Sequence, residues 1–323
     1  MEPALETCLI TGGAGNLACR LSFELSSRAR RLLLCDILPS PIAPVATNCE
    51  YVRGDLTDFN WLRNLIAEYR PTTILHFASY LSASSEANRR NAWKLNMDSA
   101  FELFELSKEF NVQRFLFPSS TASYGGNLPN PLPEDWPQWP GGLYGVTKQS
   151  VERLGVYYHA KHGLDFRALR LPIVISPTAV PGAASAYASR AFIESVADGR
   201  FTFRVRPETR PSIIYLEDVV RAMIGILEAP EECLSRRTYN IFSMCPSAAE
   251  LADSIRMRLP NAELTFDPDP ALIKLIESWP IGIEDVSARR DWGWRPGFNL
   301  DAATEHFIKL LNAQASTISH ERK

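Results

Sequence analysis

Tyr144 and Lys148 stand four residues apart in Leu143-Tyr144-Gly145-Val146-Thr147-Lys148. On a helix that spacing places both side chains on one face, so the phenol and the ammonium point the same way. An ammonium beside a phenol favours the phenolate and lowers its pKa toward neutrality. A tyrosine tuned in this way takes the proton of an alcohol while a hydride departs. Ser120, in Pro118-Ser119-Ser120-Thr121 at the end of an apolar run, offers a hydroxyl to hold the substrate oxygen. A tyrosine and a lysine at this spacing also arise by chance as two surface residues, so their meaning depends on the elements around them.

A second group sits near the start of the chain. Thr11-Gly12-Gly13-Ala14-Gly15-Asn16-Leu17-Ala18 directly follows an apolar run and opens a helical pattern. Glycines there let the backbone approach a pyrophosphate, and the N-terminus of the helix supplies oriented N–H donors for it. The third small residue is Ala18, where the strict fingerprint has glycine. Asp36 ends the next strand-like run. Its carboxylate can accept hydrogen bonds from both ribose hydroxyls of NAD, and its charge would repel the extra phosphate of NADP. Gly54-Asp55-Leu56 follows a further short strand; Asp55 is placed either to reach the adenine amino group or to cap the next helix. The candidate cofactor contacts are therefore Gly12, Gly15, Asn16, Leu17, Asp36, Asp55, Leu56, Ala78, Lys148 and Pro172, and the cofactor is NAD.

The elements that must carry these groups alternate. Strands are expected at Thr7–Ile10, Arg31–Ile37, Glu50–Arg53, Thr73–Ala78, Arg114–Pro118 and Asp165–Leu171. Helices are expected at Asn16–Ser27, Asp58–Tyr69, Asn88–Phe110 and Tyr144–His162. This rhythm implies parallel strands with helical crossovers, and continuously apolar strands fit burial on both faces. The fold class is α/β: a Rossmann-type doubly wound parallel sheet with a smaller C-terminal substrate-binding cap. Residues 1–172 form the NAD-binding domain, with 206–245 returning to it; 173–205 and 246–323 form the cap. Within the later part, Tyr187–Asp198 and Asp218–Glu228 read as helices, and Ile213–Tyr215 and Thr238–Phe242 as strands.

The chain has 323 residues, 46% hydrophobic and 22% charged, with a net charge of −3. That balance gives no electrostatic reason to expect nucleic acid or an anionic membrane as a partner. The apolar runs are too short to span a bilayer. No basic segment leads into an apolar stretch at the N-terminus, and the six cysteines form no C-x-x-C pair. A cytoplasmic enzyme with reduced thiols, no metal and a small-molecule substrate is the expectation. The charged residues outside the groups named above read as solvated helix faces.

Together, Gly12 to Ala18, Asp36, Ser119-Ser120 and Tyr144-x-x-x-Lys148 resemble the extended short-chain dehydrogenases, the group that includes UDP-galactose epimerase. Several stretches look more specifically like the short-chain type of L-threonine 3-dehydrogenase. They are Leu81-Ser82-Ala83 with Glu86, Ala92 to Met97, Leu143 to Lys148, Gly163 to Arg167, Glu277-Ser278-Trp279-Pro280, and Ala288 to Trp294. The resemblance implies NAD-dependent oxidation of a 3-hydroxyl to a ketone. Tyr144 would be the base, Lys148 its tuner and Ser120 the hydroxyl-binding partner. Ser82 and the segment after Pro181 would contact the substrate, and Trp279 would help to close the pocket.

The sequence departs from that pattern where the family carries Gly-Thr-Thr-Asp-Tyr. Here the stretch is Ala183-Ala184-Ser185-Ala186-Tyr187, so Ala186 stands where an acidic residue would face a substrate ammonium. A larger or less charged hydroxy compound would fit that change better than threonine. Ala184 and Ser185 remain candidate substrate contacts. Arg210 is a second departure: an arginine near this position grips the diphosphate in nucleotide-sugar enzymes. This keeps open an epimerase or dehydratase with tightly bound NAD, and, as a minor reading, a non-catalytic NAD-binding protein. A homodimer is expected through the helices at Asn88–Phe110 and Tyr144–His162.

Overall fold

In the computed structural model, residues 5–178 and 186–321 are described, with side chains to residue 314. Strand β1 (Leu5–Thr11) leads into helix α1 (Asn16–Leu25), then β2 (Ala29–Asp36) and β3 (Cys49–Arg53). Helix α2 (Phe59–Tyr69) precedes β4 (Thr73–His76). Next come α3 (Ser82–Ala87), α4 (Arg89–Trp93), a π-turn at Lys94–Asp98, α5 (Ser99–Glu109) and β5 (Arg114–Ser120). Helix α6 (Leu143–His162) carries the Tyr-Lys pair, and β6 (Asp165–Leu171) and β7 (Ile173–Ile175) follow it.

The seven-stranded sheet runs β3-β2-β1-β4-β5-β6-β10, with β10 at Thr238–Asn240. Every neighbouring pair in it is parallel. The order reverses between β1 and β4, which opens a crevice at the carboxyl ends of the strands. Both faces of the sheet are covered. Leu32 and Leu34 of β2 belong to one core cluster with α1 and the later helix α8 (Leu216–Glu228), while Leu33 and Cys35 belong to another with α2, α5 and α6. This alternation is why those strands read as unbroken apolar runs.

A third core lies away from the sheet. It joins α7 (Tyr187–Asp198), β8 (Arg200–Phe203), α9 (Ala248–Arg258), β11 (Glu263–Phe266) and α12 (Leu300–Glu321) around Phe192, Phe203, Leu251 and Phe307. A separate two-stranded pair, β7 with β9 (Ile213–Tyr215), links this body to the end of β6. Helix α10 (Pro270–Ile276) packs on the third core through Ile276. Helix α11 (Val286–Trp292) does not: Ala288 and Trp294 are buried against α8 beside the large sheet. The tail expected to belong wholly to the cap is therefore divided: Trp279 packs on the third core, while Trp292 and Trp294 find their apolar partners on α8.

The long helix expected over Asn88–Phe110 is broken into α4, the π-turn and α5. The apolar spacing continues through the break, but the wider turn rotates Asn96 inward, where it is 5% exposed. π-turns of this kind concentrate where a side chain must be aimed.

Candidate active site

Gly12, Gly15, Asn16, Leu17, Asp36 and Ala78 are positioned by β1, β2 and β4, while Asp55 and Leu56 follow β3, Pro172 follows β6 and Lys148 lies on α6. Gly12 adopts φ +68°, a conformation open to glycine at little cost. A methyl group there would lie 2.6 Å from the backbone nitrogen of Ala78, two residues past the end of β4. The space above this turn exists because no side chain fills it. Gly15 caps α1 without a side-chain acceptor, so the first N–H groups of a ten-residue helix face the crevice. Asp36 accepts hydrogen bonds from the backbone N–H of Ala14 (3.1 Å) and of Leu38 (3.0 Å), one on each carboxylate oxygen. These bonds hold the carboxylate at the crevice edge and leave further lone pairs for a diol. Asn16 is tied to Ser176 at 2.8 Å; Leu17 is half-buried, and Leu56 and Pro172 are buried. The donor set, the uncapped helix start and the glycine cradle fit the diphosphate and ribose of NAD. Asp55 is not the helix cap. Asp58 takes that role through Trp61 N, while Asp55 closes a turn onto Thr57 N at 2.8 Å and stays exposed.

On the other side of the crevice, α6 lies against the end of β5. Gly145 makes this possible: a Cβ there would sit 2.2 Å from the carbonyl oxygen of Ala122. Gly142 has no side chain to cap α6, and Glu86 of α3 supplies the missing acceptor, taking the N–H of Leu143 at 2.8 Å. Ser120 ends β5 and accepts from Ala122 N at 3.2 Å. Lys148 is 4% exposed and donates to the Pro118 carbonyl at 2.7 Å. Its ammonium is 4.3 Å from the ring centre of Phe117 and 5.5 Å from that of Tyr144.

The electrostatics differ from the sequence expectation. Burial pushes the Tyr144 phenol up to about 12, against a smaller opposing effect of the Ser120 hydroxyl. Burial also brings Lys148 down to about 7, with the Glu152 carboxylate pulling the other way. The ammonium is spent on the Pro118 carbonyl and lies beside the phenol ring, so desolvation outweighs its attraction for a phenolate. Tyr144 rests as the phenol.

The remaining expected substrate contacts are dispersed. Ser82 is exposed in the first turn of α3, which runs along α6. Ala184 and Ser185 lie outside the described residues. Ala186 is buried at the N-cap of α7. Trp279 packs on the third core. Arg210 is exposed and makes a two-pronged pair with Glu250, at 3.0 and 2.8 Å, and donates to the Cys245 carbonyl. Its fork is already matched to a carboxylate.

Several groups beside the site escaped the sequence reading. Asn96 accepts from Tyr80 N (2.8 Å) and donates to Tyr80 O (3.0 Å) and Thr147 Oγ1 (3.2 Å), tying the turn after β4 to the residue before Lys148. His76 is buried at the end of β4, bonded through Nδ1 to Thr11 Oγ1 at 2.7 Å, and burial, assisted by Lys148, brings it down to about 3. Glu152 and Arg170 form a buried ion pair at 2.7 Å, correcting the reading of the remaining charges as solvated. A glutamate one helical turn after Lys148, on a face otherwise facing the sheet, was the signal for it.

The model of the NAD dependent epimerase/dehydratase family matches residues 8–241. The mitochondrial L-threonine 3-dehydrogenase of Bos taurus is 36% identical over 319 residues, 98% of this chain and 84% of that protein. Among solved structures, L-threonine dehydrogenase from Clostridium difficile superposes with a TM-score of 0.89 at 31% identity, covering 96% of this chain and 98% of that one. A monomeric L-threonine 3-dehydrogenase of metagenomic origin superposes with a TM-score of 0.86 at 28% identity, covering 95% and 99%. With the crevice, the Tyr-Lys helix and these likenesses in agreement, the chain belongs to the NAD dependent epimerase/dehydratase family and is an NAD-dependent oxidoreductase.

Proposed function

We propose that this chain oxidises the secondary hydroxyl of a 3-hydroxy amino acid or a close relative to a ketone, with L-threonine the first candidate. The observation that carries the reading is the convergence of Ser120 at the end of β5 with Tyr144 and Lys148 on α6, beside the glycine turn of β1. NAD bound across Gly12, Gly15 and Asp36 would accept the hydride from the carbinol carbon. Ser120 holds the substrate hydroxyl, and Tyr144, once its own proton has passed to solvent, takes the hydroxyl proton as the phenolate while the carbonyl forms. Lys148 supplies the positive charge against which a phenolate at Tyr144 is stabilised. Arg210 is already engaged by Glu250, which favours this reading over one with a nucleotide diphosphate substrate.

Ala186 supplies no carboxylate for an ammonium. A missing charge-assisted hydrogen bond costs about 1.5–3 kcal/mol, so threonine binding is expected to be weak, or replaced by that of a less charged hydroxy compound. The test is NADH absorbance with purified protein, NAD and a panel of 3-hydroxy amino acids and neutral hydroxy analogues. Steady NADH formation supports the proposal. Tightly bound NAD with no net NADH across the panel would replace it with a reaction that recycles the cofactor.

Trp93 of α4, Phe101 of α5 and Tyr157 of α6 present large exposed apolar surface, 45%, 48% and 49% exposed. This supports a homodimer through these helices. A single monomeric peak on sizing chromatography at micromolar concentration would rule it out.

A further inference from the structure

Behind the Tyr-Lys pair lies a connected set of mostly buried polar groups that the proposed chemistry does not use. Glu152 is one helical turn after Lys148 on α6 and is 1% exposed. Its carboxylate accepts from Ser119 Oγ, from Arg170 Nε (3.0 and 3.1 Å) and Nη2 (2.7 Å), and from Gln138 Nε2 (3.1 Å). Arg170 of β6 continues through Nη1 to Tyr124 OH (2.6 Å), which donates to Asn240 Oδ1 (2.7 Å) on β10. Gln138 lies on the loop between β5 and α6, and Arg153 holds its Oε1 at 2.9 Å.

Two features of this arrangement point toward the site. First, α6 grips consecutive residues of β5: Lys148 binds the Pro118 carbonyl, and Glu152 binds the Ser119 hydroxyl. The next residue is Ser120. Second, Glu152 is the only carboxylate that bears on the ammonium among the described residues. The other titratable or charged neighbours are His76 on β4, neutral through the working range, Tyr144 on α6, which rests as the phenol, and Arg170 behind Glu152.

We propose that Glu152 is a positioning residue for the catalytic lysine: held by Arg170, Ser119 and Gln138, it fixes α6 in register on β5 and keeps a negative charge one turn behind the Lys148 ammonium. A buried ammonium without such a counter-charge sheds its proton more readily. The arrangement thus offsets part of the desolvation that brings Lys148 down to about 7. The role of Lys148 in turnover rests on the function proposed above, but the charge relation does not, and it is read without turnover.

The experiment follows the 13Cε resonance of Lys148 with pH in lysine-labelled full-length protein, assigned by its loss in Lys148→Met. In Glu152→Gln the midpoint is expected to fall by about one pH unit, while in Ser119→Ala, which keeps the charge but loses one contact, it stays within about 0.3 unit. If Glu152→Gln does not fold, the double variant Glu152→Met with Arg170→Met removes the pair together, a replacement that buried ion pairs often tolerate. It should move the midpoint in the same direction by about half as much, since Arg170 opposed Glu152. An unmoved midpoint in whichever variant folds overturns the proposal, as does an equal shift in Ser119→Ala. Should no alcohol be oxidised by the wild type, a shifted midpoint still upholds the charge relation and only the substrate reading fails.

Discussion

Changing Asp36→Asn tests the cofactor crevice through one atom. Each carboxylate oxygen of Asp36 accepts a backbone N–H, from Ala14 on one side and Leu38 on the other. In the asparagine one of those oxygens becomes an amide –NH2, which then meets an N–H donor whichever way it turns. A part-buried donor left facing a donor costs about 1–3 kcal/mol of stability. The ribose side loses separately. Two hydrogen bonds to a carboxylate are worth roughly 1.5–3 kcal/mol each, against 0.5–1.5 for neutral partners, so the change removes about 2–3 kcal/mol of NAD binding. That corresponds to a Kd weakened roughly 30- to 150-fold. The same change removes the charge that repels a 2′-phosphate, so NADPH affinity should hold or improve. NADH and NADPH fluorescence titrations on the folded variant give both numbers. An unchanged NADH Kd, or equal losses for both dinucleotides, would refute the placement of Asp36 on the ribose.

Three further outcomes follow from the packing. Gly145→Ala places a methyl group against the Ala122 carbonyl oxygen and should displace Tyr144 and Lys148 from Ser120. Turnover should fall about 100-fold with an unchanged far-ultraviolet circular dichroism spectrum, since misplacement by about 1 Å has that effect. His76 has a folded pKa of about 3 against 6.5 in its ordinary state, so below pH 6.5 the unfolded chain binds the extra proton. Stability is lost as pH falls from 6.5 toward 3, at about 1.4 kcal/mol per unit from this group. Urea titrations between pH 5 and 7 should show a shallower loss in His76→Gln. Arg167 is fully buried and donates to the carbonyls of Ile226, Leu227 and Ala229 at the end of α8, and to Asp165. Arg167→Leu should cost about 3–5 kcal/mol in urea denaturation, and a cost under about 1 kcal/mol would show the cap to be dispensable.

What could be read from the sequence was decided by local chemistry. The strands β6 and β9 and helix α7 fall on their expected boundaries; β6 stops before Pro172 and α7 before Gly199, residues that end the element locally. The glycine turn, Asp36 and the Tyr-Lys pair were visible because their spacing is itself the signal. The break at Lys94–Asp98 was not, since a π-turn keeps the apolar spacing while a distant requirement, the bonds from Asn96 to Tyr80, sets the extra width. Helix α3, of sequence SASSEA, has no apolar periodicity and is held by Glu86 at the start of α6. The loop between Tyr124 and Leu143 was opaque for the same reason. It is pinned by residues far along the chain: Leu132 pairs with Gly282, and Glu134 accepts from Ser287. The fall in the Lys148 pKa and the rise in that of Tyr144 depend on burial that no spacing encodes.

The central claim is that Tyr144 takes the proton of a secondary alcohol whose hydride leaves for an exchangeable NAD. L-Threonine and a neutral hydroxy analogue, each carrying deuterium at the carbinol carbon, should be incubated with NAD and either the wild type or Tyr144→Phe. Deuterium in the reduced cofactor is followed together with ketone formed. The account predicts one labelled, released reduced cofactor per ketone with at least one of the two alcohols. It also predicts a rate lowered by roughly 100- to 10,000-fold in Tyr144→Phe, with NADH binding within a few-fold of wild type. Oxidation that survives Tyr144→Phe at a comparable rate, or label that never leaves the substrate, would contradict it.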